Sequence, residues 1–209
     1  MLPHEGQPLV EAGAPLGTGR AVAIMVHGRN AAPANILDLA RRVEQPDITW
    51  LAPAAANRTW YPLSFMADVA QNEPGVSSGI AVLAALVSRV EAAGIPRSRI
   101  IVGGFSQGAC LASEFAIRHA TRYGGLLLFS GGAIGAPGTT WDYPGTFEGT
   151  PVFLGCSDID SHVPETRVRE TAAVFDRKGA AVTCRIYPGM GHLVNDDEIA
   201  FARELLGAL

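Results

Sequence analysis

The sequence predicts an α/β fold with a mostly parallel, doubly wound sheet. Short apolar runs, typical of strands buried on both faces, alternate along the chain with segments of helical periodicity. The strand-like runs are Ala21–Val26, Ile48–Leu51, Arg99–Val102, Leu126–Phe129, Pro151–Gly155 and Ala181–Tyr187. The helical segments lie at about 34–44, 77–94, 106–120, 164–178 and 195–206. This alternation places helices on both faces of one sheet.

Local signals support each element of the N-terminal half. Residues 1–20 are rich in Gly and Pro and have room for one or two short strands or an ordered arm. The first helix buries an apolar stripe and turns its charged residues to water. Residues 54–76 show no period, so we expect a loop, and long loops are often functional. The next helix is predicted to have Ser77 or Ser78 as its N-cap and to stop at Gly94.

The C-terminal half continues the pattern. A glycine-rich turn separates the strand ending at Val102 from the following helix. Residues 130–150, rich in Gly, Pro and Thr, are predicted to be a loop. The helix from Pro164 has proline at its start, a favoured position for it. The last helix is predicted to be capped by Asn195, with acidic residues in its first turn.

Composition narrows the class of protein. The 209 residues are 48% hydrophobic and 17% charged, so we expect one globular domain spanning 1–209. The net charge of −4 without a basic block argues against a nucleic-acid partner. Three cysteines without paired spacing indicate free thiols in a reducing compartment. No signal pattern and no apolar run of about 18 residues is evident, so we predict a cytoplasmic protein without a membrane span.

The turn after the predicted strand Arg99–Val102 carries the main functional motif. Gly104-Phe105-Ser106-Gln107-Gly108 is Gly-x-Ser-x-Gly between a strand and a helix. A side chain at either outer glycine would collide with neighbouring backbone, and the serine is forced outward as a nucleophile. Chance alone gives about 0.1 such matches in a chain of this composition, so the motif needs supporting residues.

Those supporting residues follow other strands. The carboxyl ends of parallel strands share one sheet edge, where functional groups gather. His27-Gly28-Arg29-Asn30, Cys156-Ser157-Asp158-Ile159-Asp160 and Gly189-Met190-Gly191-His192 each follow a strand. A serine, one or two aspartates and a histidine therefore lie at one edge, in the order Ser, Asp, His.

The chain resembles the α/β-hydrolases, and within them the phospholipase/carboxylesterase group that includes acyl-protein thioesterases. The matching pieces are His27-Gly28, Ala52-Pro53, Trp60-Tyr61, Gly104–Gly108, Asp158-x-Asp160-x-x-Val163-Pro164 and Met190-Gly191-His192. The resemblance implies an α/β-hydrolase fold, here with abbreviated N-terminal strands. Two departures weaken a specific thioesterase assignment: Arg29-Asn30 after His27-Gly28, and the short N-terminus.

The resemblance also implies roles. Ser106 would be the nucleophile, Asp158 the orienting acid and His192 the base. The backbone N–H groups of Arg29 and Gln107 are the candidate oxyanion donors. No metal or organic cofactor is expected, and activity should fall on acidification as the histidine takes up a proton.

Each role has a rival in the sequence. Asp160 competes with Asp158, although we expect Asp160 to structure the turn, and Asp142 follows another strand. The remaining histidines are expected to serve other purposes. His27 would hold a turn, His119 would face the surface, His162 would lie near the site, and His4 carries no functional signal.

The sequence sets only loose limits on the size of the substrate. Residues 130–150 are too few for a helical cap, so the cleft should be open, with walls from 54–76 and 130–148. The candidate substrate-binding residues are Trp60, Tyr61, Phe65, Met66 and His162, and the loop aromatics could equally be core. We expect a serine carboxylic-ester hydrolase acting on small to medium acyl esters. Lysophospholipase and acyl-protein thioesterase activities, with an acylated lipid or protein as partner, remain alternatives, as does a silent binding protein. The sequence leaves the oligomeric state open.

Overall fold

Six of the seven strands form a continuous parallel sheet in the computed structural model, which describes residues 2–209. The strands are β1 Leu9–Gly13, β2 Ala21–Val26, β3 Ile48–Pro53, β4 Ile100–Phe105, β5 Gly125–Phe129, β6 Pro151–Ser157 and β7 Ala181–Tyr187. Their order is β1-β3-β2-β4-β5-β6-β7. Only β1 is antiparallel to its neighbour, β3. The predicted doubly wound α/β class is confirmed.

Five α-helices cover the two faces of the sheet. They are α1 Pro33–Val43, α2 Gly75–Ala92, α3 Gln107–Arg118, α4 Glu165–Arg177 and α5 Asp196–Gly207. The apolar sides of α2, α3 and α4 pack on one face of the sheet, whereas α1 and α5 pack on the other. The central strands are buried on both faces, which is why their sequences are continuous apolar runs.

Three strands extend beyond their predicted ends, and one helix starts earlier than predicted. β3 continues through Pro53, and β4 continues through Phe105, three residues past the predicted stop at Val102. β6 continues through Ser157, two residues past the predicted stop at Gly155. The first turn of α2 begins at Gly75 with no side-chain cap, so the predicted serine cap is wrong. Instead, the buried Ser78 hydroxyl accepts a hydrogen bond from His4 N at 2.9 Å.

Helix α2 is long and apolar enough, by length and composition, to cross a membrane. Half of its 18 residues are buried against the fold, as expected for a core helix. The segment 130–150 contains no helix, so no separate cap covers the carboxyl edge of the sheet. The three cysteines are unpaired, as predicted, with Cys110 and Cys156 buried and Cys184 half-buried.

Candidate active site

Ser106 occupies a strained turn between β4 and α3. Its φ and ψ angles are 56° and −123°, a conformation that costs free energy and must be held by its surroundings. A Cβ at Gly104 would lie 2.5 Å from the Val26 carbonyl oxygen, and a Cβ at Gly108 would lie 2.1 Å from the same atom. The two glycines therefore let β2 approach the turn closely, and the turn directs the serine away from the sheet edge.

His192 joins Ser106 to a carboxylate. Its Nε2 lies 2.8 Å from Ser106 Oγ, and its Nδ1 lies 2.6 Å from Asp160 Oδ2. The other carboxylate oxygen, Asp160 Oδ1, accepts the backbone N–H groups of His162 at 2.8 Å and Val163 at 3.0 Å. Serine, imidazole and carboxylate thus form one hydrogen-bonded chain, the arrangement that activates a serine hydroxyl.

Asp160 is suited to balance a positive charge on the imidazole. Its side chain is fully buried, and burial alone would raise the pKa of the carboxyl. The hydrogen bonds from His192 and from two backbone N–H groups outweigh burial and lower the pKa below its ordinary value. The carboxylate therefore stays ionised at neutral pH.

The predicted contact of Asp158 with His192 is wrong, because that position belongs to Asp160. Since β6 runs on to Ser157, Asp158 lies at the strand end beside β7 and is exposed. Its Oδ1 accepts the Gly189 N–H at 2.8 Å, in the backbone that leads to His192. The carboxylate that reaches the His192 ring lies two residues further along the chain, at Asp160. Asp160 also makes the turn-forming hydrogen bonds expected of it, through Oδ1.

Two rings flank the His192 imidazole. Phe105 lies on one side with ring centroids 4.8 Å apart, and His162 lies edge-on at 4.7 Å. Phe105 is the last residue of β4, and His162 lies in the turn after Asp160. These contacts restrict rotation of the imidazole and add to the constraint from its two hydrogen bonds.

The candidate oxyanion donors belong to the two backbone turns next to Ser106. Gln107 is the first residue of α3, and Gly28, just before Arg29, lies against the serine, since a Cβ there would be 3.4 Å from Ser106 Cβ. Within residues 2–209 neither the Arg29 nor the Gln107 backbone N–H has a protein acceptor. Both N–H groups are therefore available to a substrate oxygen.

His27 holds the turn that carries Arg29, as predicted. Its Nδ1 lies 2.8 Å from the Gly28 carbonyl oxygen, and its Nε2 accepts the Ala55 N–H at 3.1 Å. Burial lowers the pKa of His27, so the ring stays neutral and keeps both roles. His4, which carried no signal, is buried against Trp60 and bonds to the backbone of residues 56 and 60.

A cleft of about 600 Å³ opens beside Ser106. Of the predicted wall residues, Tyr61, Phe65 and His162 line it, whereas Trp60 and Met66 do not. Trp60 is fully buried and donates its indole N–H to the His27 carbonyl, so its role is core packing. The predicted wall from 130–148 is also wrong, because no residue of that segment lines the cleft.

Side chains that prediction missed complete the cleft. They include Leu63, Phe105, Cys110 and Val163. Cys110 lies in the first turn of α3, where its backbone N–H donates to the Ser106 carbonyl at 3.0 Å. Burial raises the pKa of Cys110 to about 11, so the thiol stays protonated at neutral pH and does not compete as a nucleophile.

One loop supplies the longest continuous run of cleft-lining residues, 61–65, and we call residues 59–66 the wall loop. The Gln107 side chain accepts the Trp60 N–H at 3.0 Å and donates to the Tyr61 carbonyl at 2.8 Å. The Arg29 guanidinium donates to the Pro62 carbonyl at 2.8 Å and the Leu63 carbonyl at 2.6 Å. The buried amide of Asn72 accepts the Leu63 N–H and donates to the Ser64 carbonyl. Side chains outside the loop therefore fix its shape.

The segment 130–141 is anchored away from the cleft. The buried Arg167 guanidinium donates to the carbonyls of Ala133 and Gly135, and it lies over the ring of Trp141. Gly135 N in turn donates to the Phe65 carbonyl at 2.8 Å. This segment supports the wall loop from behind instead of facing substrate.

The fold defines the class of protein: this is an α/β-hydrolase fold, with Ser106 in the tight turn between β4 and α3. The chain matches the phospholipase/carboxylesterase family over residues 14–209 and belongs to that family. It is an enzyme of the carboxylic-ester hydrolase class, as the sequence predicts.

Individual relatives agree with this assignment. The chain is 30% identical over 167 residues to acyl-protein thioesterase 1 of Eremothecium gossypii, covering 75% of this chain and 68% of that protein. It is 25% identical over 203 residues to lysophospholipase-like protein 1 of mouse, with 88% and 85% covered. A phospholipase/carboxylesterase crystal structure from Dyadobacter fermentans superposes with a TM-score of 0.93, at 38% identity over 99% of this chain and 98% of that one.

Proposed function

We propose that Ser106, His192 and Asp160 form a catalytic triad that hydrolyses carboxylic esters through an acyl-enzyme. The observation that carries this proposal is the continuous chain of hydrogen bonds at 2.8 Å and 2.6 Å from Ser106 Oγ through the imidazole to Asp160. Family membership supports the ester-hydrolase class, and the geometry supports these residues within it.

Acylation follows from the roles of these groups. His192 Nε2 takes the hydroxyl proton as Ser106 Oγ bonds to the acyl carbon, and the carbonyl π electrons move onto oxygen. The Arg29 and Gln107 N–H groups stabilise that oxyanion, each donor contributing about 3 kcal/mol in comparable sites. The intermediate collapses, the ester C–O bond breaks, and the leaving alcohol takes the proton from the imidazolium.

Deacylation repeats these steps with water. His192 Nε2 removes a proton from water, the hydroxide bonds to the acyl carbon, and the carboxylic acid leaves as Ser106 Oγ regains its proton. Throughout, Asp160 keeps the second ring nitrogen protonated and balances the imidazolium charge. This chemistry requires no cofactor. The cytoplasmic location of the protein stays a prediction.

The cleft favours small to medium acyl groups. Tyr61, Leu63 and Phe65 give it an apolar side, and no helical cap encloses a long chain. An open cleft also admits an acyl group presented on a larger molecule. Lysophospholipase and thioesterase activities are therefore retained as second candidates, because relatives carry those names.

A chain-length panel tests the proposal. Wild-type protein, Ser106→Ala and a control variant at an exposed serine of α2, Ser88→Ala, are assayed with p-nitrophenyl esters and acyl thioesters of increasing length. We expect hydrolysis of short and medium esters by wild type and the control, and nearly complete loss in Ser106→Ala. Turnover at the wild-type level in Ser106→Ala would refute the mechanism.

Active-site labelling separates the enzyme from a silent binding protein. A fluorophosphonate should modify Ser106 alone, as read by mass spectrometry of the digested protein. Folded protein that takes no label would favour the binding alternative.

A further inference from the structure

The segment between β7 and α5 carries His192. It is held by hydrogen bonds to side chains at the end of β6. Gly189 N donates to Asp158 Oδ1 at 2.8 Å, and Gly191 N donates to Ser157 Oγ at 3.0 Å. Both glycines have positive φ, 68° and 78°, so the backbone turns sharply at each point of contact. Two adjacent side chains, Ser157 at the end of β6 and Asp158 just after it, thus fix the path of the chain immediately before the histidine.

His192 has little other backbone support. Within residues 2–209 its own N–H and carbonyl make no hydrogen bond. The next anchors along the chain are the Val194 carbonyl, which accepts from Arg42 Nη1 at 3.3 Å, and Asn195, whose N–H bonds to Glu198 Oε2 at 2.8 Å. The position of the imidazole relative to Ser106 therefore depends on the contacts at Gly189 and Gly191.

We propose that Asp158 is a positioning residue, which accepts the Gly189 N–H and thereby sets where His192 meets Ser106. This inference rests on the proposed triad. The two aspartates of Asp158-Ile159-Asp160 divide the work: Asp160 orients the ring, and Asp158 orients the backbone that carries it. The sequence predicts both at the site, but with the orienting role at Asp158 and the turn at Asp160.

Asp158 acts on the rate and not on substrate binding. Its side chain is exposed and does not line the cleft, so its loss leaves the substrate contacts in place. One hydrogen bond that holds a reacting group is worth about tenfold in rate. Removal of the acceptor should therefore lower kcat by about tenfold and leave KM within about twofold.

The test uses Asp158→Ala, Asp158→Asn, Asp160→Ala and Ser106→Ala, with Asp142→Ala as a matched exposed aspartate. Asparagine keeps an oxygen acceptor for the Gly189 N–H, so Asp158→Asn should restore kcat to near the wild-type value. Steady-state kinetics with a p-nitrophenyl ester give kcat and KM, and the rate of fluorophosphonate labelling reports Ser106 reactivity without substrate turnover. Thermal melts confirm that each variant is folded.

The outcomes separate the alternatives. Unchanged kcat and labelling rate in Asp158→Ala overturn the inference, as does an Asp158→Asn variant as slow as Asp158→Ala. Loss in Asp158→Ala as deep as in Asp160→Ala also overturns it, because Asp158 would then act on the ring directly. Wild-type turnover by Ser106→Ala instead defeats the proposed function itself, whatever Asp158 does.

Discussion

Asp160→Asn should silence the enzyme by reversing a hydrogen bond, not by removing one. In the wild type, Asp160 Oδ1 accepts two backbone N–H groups, and Oδ2 faces His192 Nδ1. An asparagine must keep its carbonyl oxygen toward the two N–H donors, so its NH₂ group faces the imidazole. Nδ1 then has to accept, and the ring proton moves to Nε2, where it points at Ser106.

The expected loss follows from that tautomer. An imidazole with a proton on Nε2 cannot take one from the serine, and the same change in another serine hydrolase lowers kcat by about 10⁴-fold. We expect kcat to fall by about 10³- to 10⁴-fold, with KM within a few fold. Stopped-flow and steady-state assays with a p-nitrophenyl ester measure both constants, and the fluorophosphonate labelling rate should fall in parallel. A folded Asp160→Asn variant within tenfold of wild type would refute the reasoning.

Four further predictions follow from other parts of the structure. Gly108→Ala places a Cβ 2.1 Å from a β2 carbonyl, so urea unfolding should show a loss of at least about 2 kcal/mol, with reduced activity. Arg29→Met keeps the backbone N–H but frees the wall loop, so KM should rise about tenfold with a smaller change in kcat. Burial raises the pKa of Glu198 from 4.5 to about 7, so the folded state holds this proton more tightly than the unfolded state. Its contribution is therefore complete below about pH 4.5 and is lost by about pH 7, which costs up to about 3 kcal/mol. Iodoacetamide at neutral pH should leave activity intact, because the Cys110 thiol is protonated.

Each of these four predictions would be contradicted by a specific result. A Gly108→Ala protein as stable as wild type would contradict the close approach of β2. An Arg29→Met variant with normal KM would mean that the wall loop holds its shape without the guanidinium. Glu198→Gln should flatten the loss of stability between about pH 4.5 and 7, and an unaltered pH profile would assign that loss elsewhere. Rapid inactivation by iodoacetamide would show that Cys110 is reactive.

Continuous apolar runs and strand-end positions made the fold and much of the site predictable. β2 and β7 match their predicted ends, and Ser106 and His192 meet as their places after parallel strands require. The prediction gave the role of orienting acid to Asp158 instead of Asp160, because the choice between them depends on where β6 ends. The two extra strand residues shift which carboxylate points at the ring, and no periodicity in the sequence records that stop.

The wall loop was harder to predict for a different reason. Its residues have no repeating pattern, so which aromatic side chain faces the cleft depends on contacts from distant parts of the chain. Trp60 packs in the core against two histidines, His4 and His27, which lie far from it in sequence. The prediction that residues 130–148 form a cleft wall failed for the same reason. Arg167, in α4, holds the backbone of this segment away from the cleft.

The anchoring of the wall loop separates substrate choice from catalysis in evolution. Ser106, His192 and Asp160 follow β4, β7 and β6, whereas residues 59–66 follow β3 and are tied to the site by Gln107, Arg29 and the His27 carbonyl. A lineage can therefore exchange the stretch between β3 and α2, keep those attachment points, and acquire a new acyl preference without rebuilding the reactive centre. Laboratory recombination of this single segment among family members offers the same route to new esterases.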